Sequence, residues 1–263
     1  MLRDILFYMV VFLSNIIQGI TGFAGTILAM PFSIRLEGYD TARPILNTLG
    51  LLAGIVFAMS GRKYIDKNEL KKVVITMAAG IFAGTLIREE LEGHKAVLML
   101  ILGIFVIIVG ARGLLKDEEE HYGCLEKLRH RCLSNNSCGS LEKEHVSKCR
   151  IGSIIILLAA GIIHGIFVSG GPLLISYLSR RVKAKASFRS TISAVWVFLN
   201  GIIFISDLFE GNYSIHTVRL QFIAIPFLAL GLYLGSKLYS KMSQRAFNIL
   251  TDILLIAAGM ALF

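Results

Sequence analysis

Apolar residues in this chain come in long unbroken runs rather than in alternation, at 5–34, 44–60, 70–87, 96–111, 151–179, 186–206, 220–236 and 246–263. Runs of this length without a period-two signature predict helices, because in hydrocarbon only helices and closed barrels satisfy every backbone N–H and C=O. The runs fall into two groups of four. Between them lies a polar stretch from about Arg112 to Arg150, which carries Asp117-Glu118-Glu119-Glu120, all four cysteines, and His121, His130 and His145. The expected organisation is a first transmembrane repeat at 1–115, a polar cysteine-containing linker at 116–150 and a second transmembrane repeat at 151–263. The first run resembles a secretory signal, yet it continues into Gln18-Gly19-Ile20-Thr21-Gly22-Phe23-Ala24-Gly25 without a small-x-small cleavage site, so it is expected to be retained.

The two halves match under one fixed offset. A shift of 146 residues brings Gln18-Gly19-Ile20 onto His164-Gly165-Ile166, Gly25 onto Gly171 and Arg43 onto Arg189, and a shift of 151 brings Gly84 onto Gly235. In each half the first run is the longest and is interrupted midway by glycines and small polar residues. The first reads Gln18 to Thr26 and reaches Met30-Pro31; the second reads His164-Gly165-Ile166-Phe167-Val168-Ser169-Gly170-Gly171-Pro172. Glycine costs about 1 kcal/mol in a helix interior and proline cannot donate to the preceding turn, so both runs are expected to break near the bilayer centre.

Loop charges bear on topology. Eight uninterrupted passes divide Lys and Arg almost evenly between the two faces, against the positive-inside rule. If the first run of each half is a re-entrant hairpin, all but Arg3, Arg35, Arg43, Arg88, Lys95 and Arg219 fall on one face. The expected fold is therefore an all-α polytopic membrane bundle of about eight segments, in two homologous four-segment repeats. Each repeat holds one broken or re-entrant segment and three spanning helices, and the two are inverted. The limbs flanking each break are expected to run about 10–14 residues, enough to reach the midplane but not to cross. Eight ordinary spans with kinked first helices stand as the alternative.

Composition agrees: 55% of the 263 residues are apolar, 17% are charged, and the mean hydropathy is +0.69, a balance that a water-soluble domain of this length could not cover with polar surface. A net charge of +9 invites a nucleic-acid reading, but the 27 Lys and Arg lie in the gaps between runs and form no aromatic-interleaved stripe. The expected partners are a lipid bilayer and a small anionic solute, with no nucleic acid and with homo-oligomerisation left open. The expected location is the cytoplasmic membrane, as a multi-pass protein. No Walker, Rossmann or Gly-x-Ser-x-Gly pattern occurs, so neither a cofactor nor catalysis is expected. Cys124, Cys132, Cys138 and Cys149 form no Cys-x-x-Cys pair and their spacing is irregular, so no metal site is expected.

A broken helix inside a membrane exposes amides and a positive dipole end, which suits an anion without any basic side chain. The candidate substrate-binding residues are Gln18, Thr21, Gly22, Gly25, Thr26 and Asn47 in the first half, with His164, Ser169, Gly170, Gly171, Arg189, Ser190 and Thr191 in the second. Against this, glycine and serine also let helices pack closely in lipid, Ser and Thr cap helices, and Arg43 and Arg189 could snorkel to headgroups. Asp252 and His164 are the ionisable residues deep in apolar runs and are the candidates for carrying a coupling proton.

The stretches from Gln18 through Pro31 and from His164 to Leu174, each followed by a loop and a Thr/Ser-bearing helix start, resemble the sulfite exporter TauE/SafE family of membrane permeases over nearly the whole chain. That resemblance implies transport of a small anion, often a sulfur-containing one such as sulfite or a sulfonate, with a proton gradient as the drive. Two other classes remain: an intramembrane enzyme using His164 and Asp252, and a non-transporting scaffold whose linker binds a metal or a partner.

Overall fold

The computed structural model describes residues 2–86, 141–167 and 171–260, together with isolated helical positions between 100 and 114. Among the described residues there are nine α-helices and one short 3-10 turn: α1 (Leu2–Thr21), α2 (Ala24–Glu37), α3 (Tyr39–Ser60), the turn Arg62–Tyr64, α4 (Lys67–Leu86), α5 (Leu141–Phe167), α6 (Gly171–Arg181), α7 (Lys185–Phe209), α8 (Ile215–Lys241) and α9 (Gln244–Met260). Four of them, α1, α3, α7 and α8, are long and apolar enough to cross a membrane, and α5 holds a shorter apolar stretch, Gly152–Gly165. Large apolar side chains such as Phe82, Ile155, Phe222 and Tyr233 stand exposed on the outside, as a lipid-facing surface requires. The chain is a multi-pass membrane protein, all-helical among the described residues. Most of the run expected at 96–111 and most of the linker lie outside the described residues, and α5 begins at Leu141, within the stretch expected to be linker.

Both expected breaks occur between helices. The first falls at Gly22-Phe23, where Gly22 takes a positive φ of 84° that only glycine adopts cheaply. The second lies between α5 and α6, across residues outside the described set. Each pair of limbs doubles back. Arg3 at the start of α1 lies 3.8 Å from Glu37 at the end of α2, and Arg181 at the end of α6 donates to Ser153 of α5 at 3.2 Å. In each hairpin only the second limb has the expected length, 14 residues in α2 and 11 in α6, while α5 has 27. The first limb of the first hairpin is longer too: α1 has 20 residues, about 30 Å at 1.5 Å per residue, so its tip passes the middle of the bundle. The reason is local, since no glycine or proline interrupts the run from Leu2 to Gln18.

Helices α3 and α7 lie side by side and antiparallel. The start of α3 meets the end of α7 through Arg43 and Asp207, 3.0 Å apart. At the other end, Ser187 donates to the carbonyl of Tyr64 at 2.7 Å, and the Asp66 amide donates to Thr191 at 2.9 Å. Around this pair, α1 packs on α8 and α4 packs on α5, both through glycines. A Cβ at Gly19 would stand 2.8 Å from Gly235 Cα, and one at Gly80 would stand 2.8 Å from Gly161 Cα. Contacts this close let helix backbones approach where no hydrophobic effect drives association. The offsets that align the halves place Gly19 on Gly165, Gly80 on Gly231 and Gly84 on Gly235, all of them in these two interfaces.

Candidate transport site

A residue every three or four positions falls on one stripe of a helix. On α7 that stripe runs Arg189, Ser193, Trp196, Asn200, Asp207; on α3 it runs Arg43, Asn47, Gly50, Gly54, Phe57. Because the two helices are antiparallel and adjacent, the stripes face each other and form a polar seam through an otherwise apolar bundle. Asp207 closes the seam at one end on Arg43. One turn further in, Asn47 Nδ2 donates to the carbonyl of Asn200 at 3.1 Å, while Asn47 Oδ1 is buried without a hydrogen-bond partner among the described residues. Gly50 comes next: a Cβ there would stand 3.0 Å from both Asn200 Nδ2 and Thr26 Oγ1, so its missing side chain leaves a cradle between two polar groups. At the far end the Arg189 guanidinium lies between the rings of Phe57 and Tyr239, 4.1 and 4.3 Å from their centres, and donates to Ser236 at 2.9 Å.

The tip of the first hairpin and the start of α6 rest on this seam. The Gly22 carbonyl accepts a hydrogen bond from Ser193 at 3.3 Å. Gly171, which begins α6, sits against Ile27 of α2 and the ring of Trp196. Buried His164, in the last turn of α5, packs its ring 5.4 Å from that of Trp196.

The structure thus brings together Gln18, Gly22, Gly25, Thr26, Asn47, His164, Gly171 and Arg189, although their parts differ. Gln18 is buried and folds its side chain over the break onto Gly25, occupying the space a Cβ there would need. Thr21 serves the backbone: its hydroxyl donates to the Ile17 carbonyl at 2.9 Å and accepts the amides of Phe23 and Ala24 at 3.4 and 3.2 Å. Those two amides, orphaned at the head of α2, are therefore already satisfied. Ser190 packs on Gly61 and Thr191 accepts the Asp66 amide, so both tie the turn after α3 to α7. Ser169 and Gly170 lie outside the described residues. Asp252 stands off the seam, half-buried on α9, and makes no hydrogen bond or ion pair among the described residues.

Among the polar residues of the seam, Asn200 and Asp207 escaped the sequence analysis, and Arg43 entered it as a base that could snorkel. Asn200 and Asp207 are buried, at 7% and 0% exposure. The available signal was their polarity within or just beyond an apolar run, which in lipid points to an inward-facing role. Of the two roles open to Arg43, snorkelling is excluded: its side chain is held in a buried ion pair.

Comparison with known proteins accords with this architecture. The model of the family described as sulfite exporter TauE/SafE matches residues 7–262. The probable inner membrane transporter protein TsaS of Comamonas testosteroni is 31% identical over 104 residues, 39% of this chain and 43% of that protein. The chain thus spans less than half the length of that curated relative. No solved structure matches the chain. With nearly its whole length matched by one family model, the chain belongs to the sulfite exporter TauE/SafE family.

Proposed function

We propose that this protein is a secondary transporter in the cell membrane that carries a small anion, sulfur-containing and proton-coupled, along the seam between α3 and α7. The observation that carries the reading is the seam itself. Burying Asn47, Asn200, Arg189 and a glycine cradle between two lipid-embedded helices costs free energy that an anion's path would justify, and the first hairpin's tip and the start of α6 rest on it. Guanidinium and side-chain amides suit an oxyanion, offering N–H donors without supplying a competing carboxylate at the centre. The family name and the relative's description as a probable inner membrane transporter support the same reading, and the intramembrane-enzyme alternative finds no support in a family of transporters.

The proposed architecture is two inverted repeats, at 1–115 and 151–263, each with one re-entrant hairpin, and with the linker in the cytoplasm. The antiparallel α3 and α7, related by the 146-residue offset, support inversion, as do hairpins whose open ends lie at opposite ends of the bundle. Such repeats move substrate by rocking one unit against the other about a fixed site. The coupling proton needs a group able to titrate inside the membrane; of the two candidates legible in the sequence His164 lies by the seam and Asp252 off it, and the buried carboxylate of Asp207 at the end of the seam is a third.

The test is flux of sulfite, small sulfonates and carboxylates into proteoliposomes of the purified protein, with and without a pH gradient. One or more anions should enter faster than into protein-free vesicles, with the gradient raising the rate. Equal leakage with and without protein for every anion would refute transport.

A further inference from the structure

At its Arg43 end the seam is sealed by charge. Arg43 Nη1 lies 3.0 Å from Asp207 Oδ1, with the two side chains 11% and 0% exposed. The loop after α7 covers them: Asn212 donates to Asp207 Oδ1 at 3.1 Å, and Tyr213 packs its hydroxyl 2.7 Å from Thr48 and 3.4 Å from the Pro44 carbonyl. Arg43 Nε is buried without a hydrogen-bond partner among the described residues, so the guanidinium has donor capacity that Asp207 leaves unused. Asn47 Oδ1, one turn along the seam, is a buried acceptor in the same condition. The equivalent arginine in the second half, Arg189, has aromatic rings and a serine hydroxyl around it where Arg43 has a carboxylate.

We infer that Arg43 is an anion-binding residue for which Asp207 is a place-holding counterion, so that a small monovalent oxyanion binds by displacing Asp207 as that carboxylate takes up a proton. This rests on the transport function proposed above. The reason is charge balance in a medium that does not tolerate net charge. With the site empty, Arg43 is neutralised by Asp207. Were an anion to enter beside an ionised Asp207, two negative charges would share one guanidinium, and an Asp207 driven off still charged would be a bare carboxylate in the membrane. Protonation removes both problems: one proton passes from water to the Asp207 carboxylate, Arg43 keeps its own protons, and the site holds one positive and one negative charge before and after. Release on the other face reverses both steps. One proton therefore travels with each monoanion in the same direction, and transport is electroneutral. The free Arg43 Nε supplies a second donor for bidentate recognition, and Asn47 Oδ1 can accept from an anion that keeps one acidic hydroxyl.

Other titratable and charged groups stand on the elements around this pair. On the covering loop are Glu210, bound through Asn212, and Tyr213, whose phenol is pushed above its ordinary range by burial and stays protonated. On α5, buried His164 packs on Trp196 of the same seam. On α8, His216 lies 3.6 Å from Glu37, with Arg219 nearby in sequence. Asp207 is the carboxylate that combines a negative charge with a 3.0 Å contact to Arg43.

The experiment measures flux of sulfite in proteoliposomes with and without a pH gradient, for wild type, Asp207→Asn, Arg43→Gln and the charge-swapped pair Arg43→Asp with Asp207→Arg, each checked for folding by thermal melting in detergent. Asp207→Asn should carry the anion downhill with a gradient-to-no-gradient ratio near 1, and Arg43→Gln should lose at least about tenfold in flux. The swapped pair should recover melting but not transport. A swap that restores both overturns the inference, because the pair is then only structural. So does an Asp207→Asn protein that keeps the wild-type gradient ratio, above all if His164→Gln or Asp252→Asn loses it instead. Should Asp207→Asn fail to fold, the melting-competent swap and Arg43→Gln still decide. A wild type that carries no anion at all refutes the transport reading and takes this inference with it, whereas wild-type transport with unaffected variants refutes the inference alone.

Discussion

Replacing Gly22 with alanine tests the joint between the first hairpin and α7. At φ +84° an L-residue sits in the left-handed region, which costs about 1–2 kcal/mol. The new Cβ would also stand 2.8 Å from Ser193 Oγ, 3.0 Å from Arg189 Cγ and 3.1 Å from the Arg189 carbonyl. The hydroxyl and the arginine stem can yield, but the carbonyl belongs to the α7 backbone and cannot move without the helix, so overpacking adds about 1–3 kcal/mol. The expected loss is about 2–5 kcal/mol in all, read as reversible unfolding in mixed micelles alongside anion flux in proteoliposomes. A double-mutant cycle separates the terms. Ser193→Ala removes the nearest atom and the 3.3 Å bond to the Gly22 carbonyl, so Gly22→Ala should cost about 1 kcal/mol less in that background, the strain at φ remaining. Gly22→Ala with wild-type stability and flux would show that the tip does not rest on α7 as described.

The other predictions concern the cradle, the lone carboxylate and the topology. Gly50→Val should fill the space between Asn200 and Thr26 and cut anion flux at least about tenfold while melting changes by only about 1–3 kcal/mol; unimpaired flux would move the path off the seam. Asp252→Asn should raise stability by about 1 kcal/mol, since it removes a half-buried charge with no ion pair among the described residues, and a drop in melting temperature would mean that this carboxylate has a structural partner. Cysteines placed at Ser60 and Ser179 should both react with a membrane-impermeant thiol reagent from the same side, because the end of α3 and the end of α6 both adjoin the start of α7; labelling from opposite sides would restore eight simple spans.

Much of this protein is determined by its sequence alone. Long apolar runs must be helices in lipid, so the class follows from hydropathy without any contact being known. The breaks are equally local, because Gly22 and the cluster around Gly171 act on their own turns of backbone. The glycines Gly80, Gly84, Gly231 and Gly235 recur under a fixed offset, and their repetition can be read off a single chain. What the sequence could not decide is which polar residues meet. Asn47 and Asn200 are 153 positions apart, and Arg43 and Asp207 stand on different helices whose adjacency depends on close packing at Gly50 and Gly54. Thr21, Ser190 and Thr191 show the same limit from the other side: a hydroxyl beside a break suits a ligand and a backbone amide equally well, and only the tertiary arrangement assigns it. Pairing in a membrane is a property of opposed surfaces. A single chain displays what each surface carries, and the fold alone settles which ones are opposed.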